Sequence, residues 1–273
     1  MDRIKRNERL GAMVRVMTGT PNRIHTLGEF CTLFGAAKST ISEDIEILRE
    51  SLERFEQGEL TTVAGAAGGV RYRATISREA ANKALEKLSA QLSEPERLLP
   101  GGFLYTSDVT ANPEIAELLG RMLAQHYYQR APHFVLTMET KGIPIAVMTA
   151  KMLDVPLVIA RRDSRAYEGS AVKINYIAGG SGEKIETMAL ARRAVAPGQR
   201  ALIIDDFMKG GGTLQGMVDM MREFQAEVVG VGVMIATATP AVKRVKGAKS
   251  LLILHEPDAQ SGRVSVTPSE LYQ

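Results

Sequence analysis

The stretch Ala201-Leu-Ile-Ile-Asp-Asp-Phe-Met-Lys-Gly-Gly-Gly-Thr213 constrains this chain more than any other. Apolar residues follow Arg200 without polar alternation, which predicts a strand buried on both faces, as in a parallel sheet. Two carboxylates, Asp205 and Asp206, stand at its C-terminal end, a glycine run follows, and Thr213 opens a stretch with helical apolar periodicity. Strand, glycine-rich turn and helix in that order commit the segment to an α/β layer whose ligand face lies at the C-terminal ends of the strands.

The residue types carry a chemistry. Successive backbone N–H groups of Gly210, Gly211 and Gly212, backed by the positive end of the helix beginning near Thr213, form a concave donor set suited to a phosphate. Asp205 and Asp206 cannot hold that phosphate; adjacent anions suit two neighbouring hydroxyls or a magnesium ion. The loop therefore reads as a site for a phosphorylated sugar with a free cis-diol. Its spacing differs from both GxxxxGK[ST] and GxGxxG. The run Ile203–Thr213 resembles the phosphoribosyl pyrophosphate (PRPP) motif of type I phosphoribosyltransferases, and the resemblance extends the binding loop through Phe207, Met208 and Lys209. Two departures accompany it. Where base-salvage members carry an Asp as general base this chain has Lys209, and the hydroxyl residue that usually precedes Gly-Gly is Gly210. A lysine accepts no proton at pH 7 without a large pKa depression, so the loop reads as equipped to bind rather than to catalyse, and no catalytic residue is assigned.

With 273 residues, 45% of them hydrophobic, the chain can bury one large core or two moderate ones, and its length favours two domains. A net charge of +3 is compatible with a polyanionic partner without demanding one. Cys31 is the single cysteine, which excludes an intramolecular disulfide and a cysteine zinc cluster. The start, Met1-Asp-Arg-Ile-Lys5, lacks a signal-peptide core, and no apolar run reaches about 18 residues. A soluble, cytoplasmic protein without membrane association is expected.

Residues 1–77 read as a small helical module. Leu10, Met13, Val14 and Met17 form one helical stripe that ends at Thr18-Gly-Thr-Pro-Asn22, and Leu27, Phe30, Cys31 and Phe34 form a second ending at Gly35. A third helix from Lys38 places Ile41, Ile45, Leu48 and Leu52 on one buried face and leaves Lys38, Ser39, Thr40 and Ser42 outward near its start. Two helices, a tight turn and a helix with a polar N-terminal face make a helix-turn-helix, whose last helix reads the major groove. The segment Ser39–Ile45 is similar to recognition helices of bacterial winged-helix repressors. The alternative is a plain three-helix unit in which Thr40 and Glu43 form a capping box. Over residues 1–41 seven cations meet three acids, and over 42–59 seven acids meet two arginines, so the module is polarised. Arg3, Lys5 and Arg6 are then a basic arm for phosphates, with the acidic tail of the third helix pointing away. Leu60–Arg73 reads as two strands around a glycine-rich turn, a wing with Arg71 and Arg73 on one face.

Residues 78–273 alternate as an α/β domain. Helices are expected over 78–92, 113–129, 143–153 and 213–224, and strands over 103–105, 133–138, 156–160, 201–204, 227–236 and 250–254. Thr140-Lys141-Gly142 follows a strand and precedes a helix, and it resembles the pyrophosphate loop of the transferase family. Arg161 and Arg162 begin the segment to Gly169, where that family carries a mobile loop; they are candidates to reach the diphosphate, the alternative being a solvated charge run. His25, His126, His133 and His255 are scattered without partners at metal spacing, so no metal site is assigned.

A winged helix fused to a PRPP-motif domain resembles the purine operon repressors of Gram-positive bacteria. Pro95–Gly102, Thr140–Pro144 and Ser170–Tyr176 extend the resemblance along the chain. It implies an α/β fold with an N-terminal winged helix-turn-helix followed by a type I phosphoribosyltransferase-like domain, a parallel sheet flanked by helices. It further implies a homodimeric repressor of purine genes that binds operator DNA. PRPP, with or without magnesium, is then the effector rather than a tightly held cofactor, and purine nucleotides or alarmones compete for the same pocket. A catalytic purine phosphoribosyltransferase with an extra N-terminal domain is the alternative. A PRPP-regulated RNA-binding protein is disfavoured, because the basic segments lack interleaved aromatics.

Overall fold

The computed structural model describes residues 4–65, 68–99, 103–163, 169–178, 184–256 and 263–272. The chain divides into two compact units, Met1–Ser77 with Lys151–Asp154, and Arg78–Ala150 with Val155–Gln273.

The first unit packs three helices against a small sheet. Helix α1 (Arg6–Gly19) buries Met13 and Met17, and α2 (Leu27–Phe34) buries Phe30 and Phe34. Thr26 caps α2 by accepting from Glu29 N at 3.2 Å, and Gly35 ends it at φ 59°, a left-handed conformation that glycine adopts without a Cβ penalty. After the three-residue turn Gly35–Ala37, α3 (Lys38–Arg54) buries Ile41, Ile45 and Leu48, whereas Leu52 stays half-exposed. The N-cap of α3 is Ala37, which makes no side-chain cap bond, so Thr40 and Glu43 lie inside the helix rather than forming a capping box at its start. Strands β2 (Glu59–Val63) and β3 (Gly69–Arg73) are the wing. β1 (Ile24–His25), two residues too short to leave a periodic signal, adds a third antiparallel strand beside β3.

The acidic run of α3 does not turn wholly away from the basic arm. Asp44 is fully buried and accepts from Arg9 Nε at 2.7 Å, with Arg6 Nε at 3.3 Å; Arg6 also pairs with Glu43 at 3.0 Å. A buried carboxylate requires such partners, since desolvation without them costs several kcal/mol, on the order of 3–5.

The second unit is built on one twisted sheet. It contains α4 (Arg78–Leu92), β4 (Leu98–Leu99), β5 (Phe103–Leu104), α5 (Ser107–Thr110), α6 (Pro113–Gln125), β6 (Phe134–Met138), α7 (Ile143–Leu153) as far as Ala150, and β7 (Leu157–Ala160). β8 (Ala171–Ala178), β9 (Lys184–Ala191), β10 (Arg200–Met208), α8 (Gly212–Glu223), β11 (Glu227–Thr237), β12 (Lys249–Leu254) and β13 (Val266–Pro268) follow. The strand order is β13-β12-β11-β10-β6-β7, parallel except for β13 at one edge. Leu136, Ile203 and Val233 from the middle strands and Met217, Met220 and Met221 from α8 share a fully buried core. The expected strand at Phe103 pairs with Leu98–Leu99 in a separate two-stranded sheet instead of joining the main one. Also unanticipated is the antiparallel hairpin β8–β9, in which Val172 faces Leu190 and Tyr176 faces Glu186. It lies on α8 where that helix has no side chains: a Cβ at Gly212 would strike the Ile177 carbonyl, and one at Gly216 would lie 2.9 Å from the Tyr176 ring.

Candidate functional site

Sheet topology assembles the site. From β6 the order runs outward to β7, whereas from β10 it runs the other way through β11 and β12, so β6 and β10 flank a point where strand order reverses. Loops leaving two such strands diverge to opposite faces and leave a crevice between them. The loop after β6 carries Thr140, Lys141 and Gly142, and the end of β10 carries Asp205 and Asp206.

These two segments touch. A methyl on Gly142 would fall inside contact distance of Asp205 Oδ1 and 2.7 Å from Thr137 Oγ1, so only a bare Cα fits there. The Thr137 hydroxyl is fully buried and makes no hydrogen bond to the described residues. The peptide between Glu139 and Thr140 is cis, and the Thr140 and Lys141 side chains are exposed. Asp205 is only 7% exposed, and its Oδ1 accepts from Asp206 N at 2.9 Å. Burial, followed by the charge of Asp206, pushes the Asp205 carboxyl well above the usual carboxylate range. Burial also raises Asp206, with the Lys141 ammonium among the opposing effects. Two carboxyls held this way are short of compensating donors, which a sugar diol or a cation would supply.

The glycine loop follows at once. Phe207 is half-buried, Met208 is buried, and the Lys209 side chain is exposed. Gly211 stands at φ 82°, where an L-residue is disfavoured, and serves as N-cap of α8 without any side-chain cap bond, so no side chain competes for the first-turn amides. Gly210 and Thr213 are half-buried. The Tyr176 hydroxyl donates to Glu186 Oε2 at 2.9 Å and is hydrogen-bonded to Thr213; burial first, and Glu186 second, push it up to about 12.

Arg161 and Arg162 leave β7 beside this loop pair. Glu139, which sequence reading passed over, holds both: Arg161 Nη1 lies 3.3 Å from its Oε2 and Arg162 N donates to Oε1 at 2.8 Å. Glu139 neighbours Thr140, and that adjacency is the signal that could have found it. The expected mobile loop beyond them falls on residues 164–168, outside the described residues.

In the first unit Lys38, Ser39 and Ser42 are exposed and Thr40 half-exposed, all within the first two turns of α3. Lys5 is exposed as N-cap of α1, and Arg6 leaves about half its side chain in solvent while paired to Glu43 and Asp44. Arg71 and Arg73 alternate with buried Val70 and Tyr72 and so share one face of β3. Arg3 lies outside the described residues. Among the described residues no group of three or more His, Cys, Asp or Glu could hold a metal, and no helix is long and apolar enough to cross a membrane.

Comparison with known proteins agrees with this anatomy. Residues 5–74 match the family described as bacterial purine repressor, N-terminal, and residues 106–268 match the phosphoribosyl transferase domain. A probable purine biosynthesis transcriptional regulator of Streptococcus pneumoniae is 38% identical over 270 residues, covering 99% of this chain and 98% of that one. The purine biosynthesis transcriptional repressor of Bacillus subtilis is 39% identical over 252 residues, 92% of this chain and 88% of its own. A Lactococcus lactis relative, 35% identical over 269 residues with 98% and 99% coverage, is named a transcriptional activator. In fold, the adenine phosphoribosyltransferase of Giardia lamblia superposes at TM-score 0.53 with 19% identity, covering 67% of this chain and 99% of that one. A winged helix-turn-helix joined to a transferase-like sheet, with relatives matched along nearly their whole length, places this chain in the family of bacterial purine biosynthesis transcriptional regulators.

Proposed function

We propose that the protein represses purine biosynthesis genes as a homodimer, and that PRPP is the effector that weakens its hold on operator DNA. The observation that carries the effector is the convergence, at the reversal between β6 and β10, of a glycine-rich loop, two acidic side chains and the Thr140–Gly142 loop. Gly210 to Thr213 take the 5′-phosphate, Asp205 and Asp206 the ribose diol, and the Thr140–Gly142 amides the diphosphate, with Arg161 and Arg162 beside it. Magnesium would enter with the diphosphate, since this ion keeps most of its shell from phosphate and water. Purine nucleotides or alarmones carry the same ribose phosphate and compete for the pocket. Lys209, in the place of a general base, makes the domain a receptor rather than a transferase.

DNA is read by Ser39, Thr40 and Ser42 at the start of α3, while Lys38, Arg71 and Arg73, joined by Arg3 and Lys5, neutralise phosphates. Arg6 contributes less than an unpaired cation would, because it must share its charge with Glu43 and Asp44.

The test is reciprocal coupling. Operator affinity measured by anisotropy across a PRPP series should fall by about 5-fold to 150-fold, and operator DNA should weaken PRPP binding by the same factor. Inorganic pyrophosphate at equal ionic strength is the control: an equal effect would mean salt competition. Steady turnover of PRPP with a purine base, abolished by changing Asp205, would overturn the receptor reading.

A further inference from the structure

The connection from β11 to β12 runs directly behind the glycine loop. Lys243 Nζ donates to the Lys209 carbonyl at 2.6 Å, to the Thr237 carbonyl at 2.7 Å and to the Thr237 hydroxyl at 3.0 Å. An ammonium has three protons, and here each has an acceptor. The next residue continues the contact, with Arg244 N donating to the Gly210 carbonyl at 3.0 Å. A Cβ on Gly211 would sit 3.4 Å from Val245 N and 3.5 Å from Arg244 N, so backbone lies against backbone at Gly210 and Gly211.

The planar trans peptide turns these contacts into an orientation. Each carbonyl points opposite to the N–H of the residue that follows it. Holding the Lys209 carbonyl backward therefore aims the Gly210 N–H forward, and holding the Gly210 carbonyl backward aims the Gly211 N–H forward. Glycine peptides need such restraint because, without Cβ atoms, they reorient at little steric cost. A reversed peptide would present a carbonyl oxygen to an incoming anion.

We infer that Lys243 is a positioning residue for the phosphate site, pinning the carbonyl side of the glycine loop so that its amides face the ligand. Its ammonium also places a positive charge behind the loop, in a half-buried setting where screening is weaker than in water. Burial, which lowers the Lys243 pKa, is accepted here in exchange for loop geometry. This inference rests on the reading of the glycine loop as a phosphate site, and it gives a role to a residue 34 positions away in sequence.

Titration calorimetry of the full chain separates the two ideas. Ribose 5-phosphate probes the glycine loop, and inorganic pyrophosphate added over saturating ribose 5-phosphate probes the Thr140–Gly142 loop. Lys243→Met should weaken ribose 5-phosphate by about tenfold or more, the scale of one lost charge-assisted hydrogen bond, and leave pyrophosphate affinity unchanged. If that variant melts at a much lower temperature, Lys243→Gln, which retains a donor without the charge, is read in the same way. Unchanged ribose 5-phosphate affinity in a folded variant overturns the positioning role, as does equal weakening of both ligands, which would signal general damage. A native chain that does not bind ribose 5-phosphate overturns the reading of the loop itself and this inference with it.

Discussion

Gly142→Ala is the smallest change that should disconnect the two halves of the ligand site. The added methyl would stand 2.7 Å from Thr137 Oγ1 and 3.2 Å from Asp205 Cα, with Asp205 Oδ1 nearer than either. Carbon and oxygen atoms settle at about 3.3–3.6 Å, so Thr137 Oγ1 must retreat by roughly 0.6 Å or more and the carboxylate by more than that. Neither has room, because Thr137 is fully buried and Asp205 is 7% exposed. Gly142 is not among the positive-φ glycines, so its backbone tolerates alanine and the penalty is steric. Overpacking of this kind costs about 1–3 kcal/mol, and a domain of this size loses roughly 2–4 °C of melting temperature per kcal/mol. The binding loss should be larger in relative terms: displacing one charge-assisted contact to the diol costs about 1.5–3 kcal/mol, on the order of 10-fold to 150-fold in affinity. Thermal melts and calorimetric titration with PRPP measure both. Gly198→Ala is the comparison, a positive-φ glycine with nothing within 4 Å of its Cβ, where only backbone strain applies. Unchanged melting temperature and unchanged PRPP affinity in Gly142→Ala would refute the contact between the loops.

Further outcomes concern charge. Because burial and Asp206 raise the Asp205 carboxyl, the folded chain keeps a proton that the unfolded chain has released, so stability falls as pH climbs from the ordinary carboxylate range near ~4 through the raised folded value. Asp205→Asn should flatten that fall in melts taken across pH while weakening PRPP binding; a fall of equal depth in the variant would assign it elsewhere. Operator affinity should drop about a thousandfold between ~50 and ~200 mM salt if about six phosphates are neutralised, and a salt-independent interaction would exclude the proposed interface. Within that interface Ser42→Ala should reorder the preference among operator sequences, whereas Arg6→Ala should weaken all of them alike and modestly, a contrast that anisotropy on variant operators resolves.

Much of this anatomy was legible in the chain itself. The apolar run before Asp205, the glycines after Lys209 and the stripe Ile41, Ile45, Leu48 express backbone and side-chain preferences that act over a few residues, and their elements formed where periodicity placed them. The type of fold, and the reading of the glycine loop as a candidate phosphate site, followed from those local rules. What required the folded chain were relations between distant segments. Strand order at β6 and β10, set by which strands pair, brought Gly142 against Asp205. The hairpin β8–β9 is only partly buried and alternates too weakly to announce itself, yet the side-chain-free surface of α8 at Gly212 and Gly216 gives it a seat. Asp44 looked like one more solvated acid until packing buried it between Arg9 and Arg6. Lys243 carried no sequence signal at all, since its partners are backbone and threonine oxygens, which every stretch of chain can offer and only tertiary proximity selects.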